Sequence, residues 1–112
     1  MAKTKQGLLA TTVIAATAWQ PNRFVNFAAA QAAAGEATLG VSVYEADQGD
    51  SAAVDVVGIV TVEAGGAIAQ GAKVAAGDQG LAVTQASTAA VAGYALDTAA
   101  AAGDIIRVLL RG

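Results

Sequence analysis

The chain has 112 residues, a formal net charge of −3, and neither histidine nor cysteine. That composition excludes imidazole acid–base chemistry near neutral pH, thiolate nucleophiles, disulfide staples and most zinc sites. Hydrophobic residues make up 55% but aromatics only 4%, so alanine-rich packing removes little apolar area per residue, at about 25 cal/mol per Å², and a thin core of this kind gains from neighbouring subunits or a larger surface.

The same composition bounds the partners. A nucleic-acid surface needs clustered Lys and Arg, whereas Lys3 and Lys5 lie near one end and Arg107 and Arg111 near the other. The longest charge-free stretch, Gln79 to Leu96, is broken by Gly80, Thr84, Gln85, Ser87, Thr88 and Gly93, unlike a membrane-spanning helix. Neither nucleic acid nor membrane is expected as a partner. The carboxylates (Glu36, Glu45, Asp47, Asp50, Asp55, Glu63, Asp78, Asp97 and Asp104) are scattered, and several adjoin glycine. They read as turn formers and solvated strand positions, so no catalytic residue, metal ligand or cofactor site is expected.

In chain order, residues 1–22 read as an extended arm running into a first strand, with Thr11 to Ala15 its paired portion and Pro21-Asn22 a turn. Lys3, Lys5, the run Leu8 to Ala16 and Ala16-Thr17-Ala18 have the outline of a signal peptide, but Thr11 and Thr12 dilute the apolar run. The arm, to about Ala10, is expected to leave its own domain and lie extended on another chain, the alternative being a first strand of the barrel paired within its own domain. Residues 23–112 form the β domain. Arg23 to Ala28 is its first strand, and the alanine-rich stretch to Gly35 reads as a loop.

From Thr38 to Tyr44 the residues alternate, Leu39, Val41 and Val43 on one face. After Gly49-Asp50, Val54, Val56, Val60 and Val62 share a parity, with Asp55, Thr61 and Glu63 outward and a bend at Gly58. Two short strands around Gly77-Asp78-Gln79-Gly80 follow, and Gln85 to Ala92 is a loop or single helical turn. In the last strand Ile106, Val108 and Leu110 suit the core, Arg107 and Arg111 the outside, and Ile105 and Leu109 fall on the outer parity. Large aliphatics there are expected to be covered by a partner subunit.

One phrase occurs twice. Gly40-Val41-Ser42-Val43, Gly49-Asp50 and Val54-Asp55-Val56-Val57-Gly58 are echoed by Gly93-Tyr94-Ala95-Leu96, Gly103-Asp104 and Val108-Leu109-Leu110-Arg111-Gly112. Each copy fits two strands joined by a Gly-Asp turn. The expected fold is therefore all-β, a small single-domain barrel or sandwich with an internal duplication and an extended N-terminal arm.

Two further residues draw attention. Lys73, in Gly71-Ala72-Lys73-Val74, suggests a carrier or ligand-binding β-barrel with a lysine on a hairpin turn, although biotinyl and lipoyl carriers set their lysine in other contexts. Trp19, before Gln20-Pro21, reads as an anchor in the core or in a subunit contact.

Taken as an ordered set, these phrases resemble the small phage capsid cement, or head decoration, proteins. The resemblance is carried by Met1-Ala2-Lys3-Thr4-Lys5-Gln6-Gly7, Asn22-Arg23-Phe24-Val25, Leu39-Gly40-Val41, Gly49-Asp50, Val54-Asp55-Val56-Val57-Gly58, Val62-Glu63-Ala64-Gly65, Ile68-Ala69-Gln70-Gly71 and Ala102-Gly103-Asp104-Ile105-Ile106-Arg107-Val108-Leu109-Leu110. It implies a non-enzymatic virion protein on the outer surface of a bacteriophage head, commonly a trimer, that clamps neighbouring major capsid protein subunits. On that expectation the arm residues Lys3, Lys5, Leu8 and Leu9 meet the capsid, and Trp19, Ile105 and Leu109 meet sister subunits.

Overall fold

The computed structural model describes residues 6–86 and 89–110. They form eight strands: β1 (Gln6–Ile14), β2 (Phe24–Asn26), β3 (Thr38–Ser42), β4 (Ser51–Glu63), β5 (Lys73–Ala76), β6 (Ala82–Thr84), β7 (Gly93–Ala95) and β8 (Ile105–Leu110). A 3-10 turn, Asp78–Gly80, links β5 to β6. The strands make one sheet in the order β2-β3-β4-β8-β7-β5-β6, with β1 also on β4. It curls into a nearly closed barrel, because Ala64 bridges back to Ala82 in β6. The expected all-β domain is what forms.

The duplicated phrase is the visible part of a larger repeat that meets on β4. The first half of β4 ends one four-strand unit and its second half begins the next. β1 lies against Ser51–Ile59 and β8 against Gly58–Glu63. β2 pairs β3 as β5 pairs β7, and β3 and β7 in turn pair β4 and β8. Loop contacts repeat as well. Trp19 bridges Ala46 as Ile68 bridges Ala99, and Ala16 N–H donates to Ala29 O at 2.7 Å as Gly65 N–H does to Ala82 O at 2.7 Å.

The buried apolar side chains fall into two clusters, the larger of which also takes in Phe24, Ala32 and Val41 of the first unit. Ala15, Trp19, Val25, Ala46, Ala52 and Val54 form one cluster, with Val13, Leu39 and Val56 against it. Their counterparts Ala64, Ile68, Val74, Ala99, Ile106, Val108, Val62 and Leu110 lie in the other, with Ala92 packed on it. The units keep identical residue types at five of these positions (Ala15/Ala64, Val25/Val74, Ala46/Ala99, Val54/Val108 and Val13/Val62). They exchange bulk at others: Trp19 with Ala52 stands where Ile68 with Ile106 does. Trp19 and Ala52 share one cluster and Ile68 and Ile106 the other, an arrangement in which an enlarged side chain can fill what a shortened one vacates.

Backbone contact imposes glycine at matching places. A Cβ on Gly40 would lie 2.1 Å from Asp55 O, and one on Gly93 2.4 Å from Leu109 O. Gly49 and Gly103 have φ of 92° and 95°, as the two Gly-Asp turns require.

Two expectations are corrected. The arm does not leave the domain from Gln6 onward, because Gln6 already pairs Ile59 and Ala10 pairs Asp55. The 13-residue β4 serves both units and offers β1 a ladder over Ser51–Ile59. Asp55, read as outward, is 6% exposed. It does lie on the outer parity, but it sits in mid-β4 between β1 and β3, paired with Ala10 and Val41, and lines a recess with Asn22 and Thr61, where Thr61 Oγ1 bonds Asn22 Oδ1 at 3.0 Å. The bend at Gly58 is present, with φ of 118°, and the register of β1 breaks opposite it, between Gly7 and Leu9.

Candidate interaction surface

The carboxylates are largely committed to the fold. Asp50 Oδ2 accepts from Asp47 N–H at 2.9 Å, and Asp104 Oδ2 from Ala100 N–H at 2.8 Å, closing the two equivalent turns. Asp97 holds Arg107 in a fork, Oδ2 to Nε and Oδ1 to Nη2, both at 3.0 Å. That hydrogen bond, followed by the charge of Asp97, raises the Arg107 pKa. Glu36 accepts from Ala33 N–H and from the Asn26 amide, which holds its carboxyl below the ordinary 4.5. Among the described residues no group of three potential metal ligands occurs.

Arg23, which the sequence offered only as a strand residue, is 8% exposed. Its guanidinium bonds Gln20 Oε1, Gln79 O at 3.0 Å and Glu63 Oε1 at 3.4 Å. It therefore ties the first unit to the 3-10 turn of the second. No periodicity signals such a residue, since Glu63 and Gln79 are remote from it in sequence.

The proposed contact residues fall in different places. Trp19 is 3% exposed and lies in the core of its own unit, its Nε1–H donating to Tyr44 O at 3.1 Å. It is the counterpart of Ile68 and offers no side-chain surface to a sister subunit, which corrects that expectation. Ile105 and Leu109 do lie on the outer face, Ile105 at 37% exposure and Leu109 half-buried. Cross-strand pairing places Leu109 between Ile59 and Tyr94, and β1 adds Leu9 opposite Val57. These residues make an apolar band from β1 to β7. At its centre, where β3 and β8 diverge along β4, a cleft of about 260 Å³ opens between Leu39, Val56, Val91, Tyr94 and Leu109.

Of the arm residues, Lys3, Lys5 and the side chain of Leu8 lie outside the described residues, and Leu9 is 58% exposed. Along β1, Leu9 to Thr12 are all exposed, and β4 is the strand that β1 pairs with. Lys73 opens β5 opposite Tyr94, after a turn whose tip is Gln70-Gly71 with Gly71 at φ 86°. It is not at the tip of a hairpin, where a swinging carrier lysine would need to be. Ile14, Phe27 and Tyr44, at 60%, 71% and 62% exposure, are apolar surface residues that the sequence reading passed over.

Such a molecule, with several carboxylates closing its own turns and large apolar side chains on show, is of the class of structural modules. The chain is a member of the phage cement protein family, whose model matches residues 2–111. Its fold is shared with the N-terminal base of the head fiber gp8.5 of bacteriophage phi29. That crystal structure aligns with a TM-score of 0.76 at 23% identity, over 91% of this chain and 92% of that one. No curated protein matches the sequence.

Proposed function

We propose that the chain is a non-enzymatic cement protein on the outer surface of a phage head, where it binds major capsid protein subunits and holds neighbours together. The observation that carries this reading is the family match across residues 2–111. A relative in fold that is part of a phage head fiber agrees with it. A chain so poor in aromatic area and so rich in committed carboxylates is suited to adding contacts, not to turning over a substrate.

On this reading the chain acts as a closed trimer, with the outer band around Ile105 and Leu109 as the sister contact, since closed symmetry satisfies identical patches without open-ended growth. Lys3, Lys5, Leu8 and Leu9 reach the capsid surface, and three tethered arms raise one another's effective concentration. The test uses heads of the encoding phage prepared without this chain, to which the purified protein is added back. Heads should take it up in stoichiometric amount and resist heating better. Loss of residues 2–5 should weaken retention while the circular dichroism spectrum stays that of a β protein. Heads that do not take up the chain, or take it up as isolated monomers with Leu109 facing water, would refute the corresponding part.

A further inference from the structure

The two units share a backbone plan, so positions that match in structure but differ in chemistry mark where one unit has been given another task. At the outer end of the second unit stand Glu63, Ile105, Arg107 and Asp97. Glu63 pairs Ile105 across the strands, Leu96 N–H bonds Arg107 O, and Asp97 and Arg107 form their fork. The same four positions in the first unit are Ile14, Ser51, Ala53 and Tyr44. Ile14 pairs Ser51, and Val43 N–H bonds Ala53 O just before Tyr44. Three ionised groups at one end are thus replaced by an isoleucine, an alanine and a tyrosine at the other. Ile14 and Tyr44 remain 60% and 62% exposed.

The neighbouring loop differs in the opposite sense. Glu45 and Asp47 occupy the positions of Thr98 and Ala100, and with Asp50 they put three exposed carboxylates beside Tyr44. An apolar end flanked by acid on one side is what a complementary protein surface would recognise. The same face of a second copy does not fit. It carries the same acidic loop and a net charge of −3. Of the six cations of the chain, Arg23 and Arg107 are bonded to carboxylates, Lys73 is exposed away from this loop on β5, and Lys3, Lys5 and Arg111 lie outside the described residues. Like-charge apposition opposes such a pairing.

We infer that Ile14, Tyr44 and Ala53, with the acidic loop Glu45–Asp50, form a docking face for a different protein whose contact surface is apolar with a basic rim. The inference rests on the reading that the chain binds a phage head and names the chemistry that the head must present there.

The second unit supplies the test. Tyr44→Asp with Ala53→Arg writes the Asp97–Arg107 pair into the first unit, on a backbone that already holds that pair elsewhere in the chain, so the fold is retained. Wild type and this variant are titrated onto heads lacking the chain, alongside Glu45→Gln/Asp47→Asn. The Asp/Arg variant should bind at least ten-fold more weakly with an unchanged melting temperature and oligomeric state. The Gln/Asn variant should bind more weakly at low salt and show a flatter salt dependence. Wild-type binding matched by the Asp/Arg variant would overturn the docking face while leaving the cement reading intact. Loss of self-association in that variant would also overturn it, by showing a contact between copies. Heads that take up no wild-type chain would overturn the cement reading and this inference with it.

Discussion

Replacing Ile106 by alanine tests whether the two units are packed as equivalents. Ile106 is fully buried on β8, and its counterpart in the first unit is Ala52. The substitution removes about three methylene equivalents, about 2.4 kcal/mol at roughly 0.8 kcal/mol each. The cavity left behind raises the loss to about 3–4 kcal/mol. In the first unit Trp19 shares a cluster with Ala15, Ala46 and Ala52, as Ile68 does with Ala64, Ala99 and Ile106 in the second. Adding Ile68→Trp to Ile106→Ala should therefore recover about 1 kcal/mol or more, although Ile68→Trp alone should destabilise by overpacking, at about 1–3 kcal/mol. Urea unfolding of the wild type, both single variants and the double variant closes a double-mutant cycle. A coupling energy within about 0.5 kcal/mol of zero would show that Trp19 and Ala52 do not compensate each other and that the repeat is one of backbone alone.

Gly40→Ala and Gly93→Ala each push a Cβ into a strand carbonyl, at 2.1 and 2.4 Å. Both should lower the thermal midpoint far more than Gly66→Ala, whose Cβ would meet nothing within 4 Å. Arg23→Met should cost about 2–3 kcal/mol by stranding Glu63 and the Gln79 carbonyl; hydrogen exchange should show the amides of Gly80 and Leu81 losing protection first. Glu36 has a depressed folded pKa, so its contribution is present above the ordinary value of 4.5 and is lost as the pH falls below it. Glu36→Gln should narrow the difference between stability at neutral pH and stability in acid, with the carboxyl of wild-type Glu36 titrating below 4.5 by NMR.

Periodicity and turn chemistry carry much of the architecture. The alternation in Thr38–Ser42 and Ile105–Leu110 places Val41, Ile106, Val108 and Leu110 in the core and Ile105 and Leu109 outside it. The Gly-Asp turns are legible because positive φ and a side-chain acceptor are local requirements. Trp19 shows the limit: an isolated aromatic before a proline reads equally well as anchor or contact, and only its bridge to Ala46 seats it in the first core. β1 shows it again, because a sequence with two threonines in an apolar run does not say which strand will accept it. The length of β4, shared by two units, decides that. Burial of Asp55 between β1 and β3, and of Arg23 against a turn more than fifty residues away, rests on contacts that no local pattern encodes. The sequence alone determined the strands, their faces and the family, because these follow from spacing and order. The tertiary structure decided which apolar residues stay exposed and which charges are spent, because those depend on what lies across the fold.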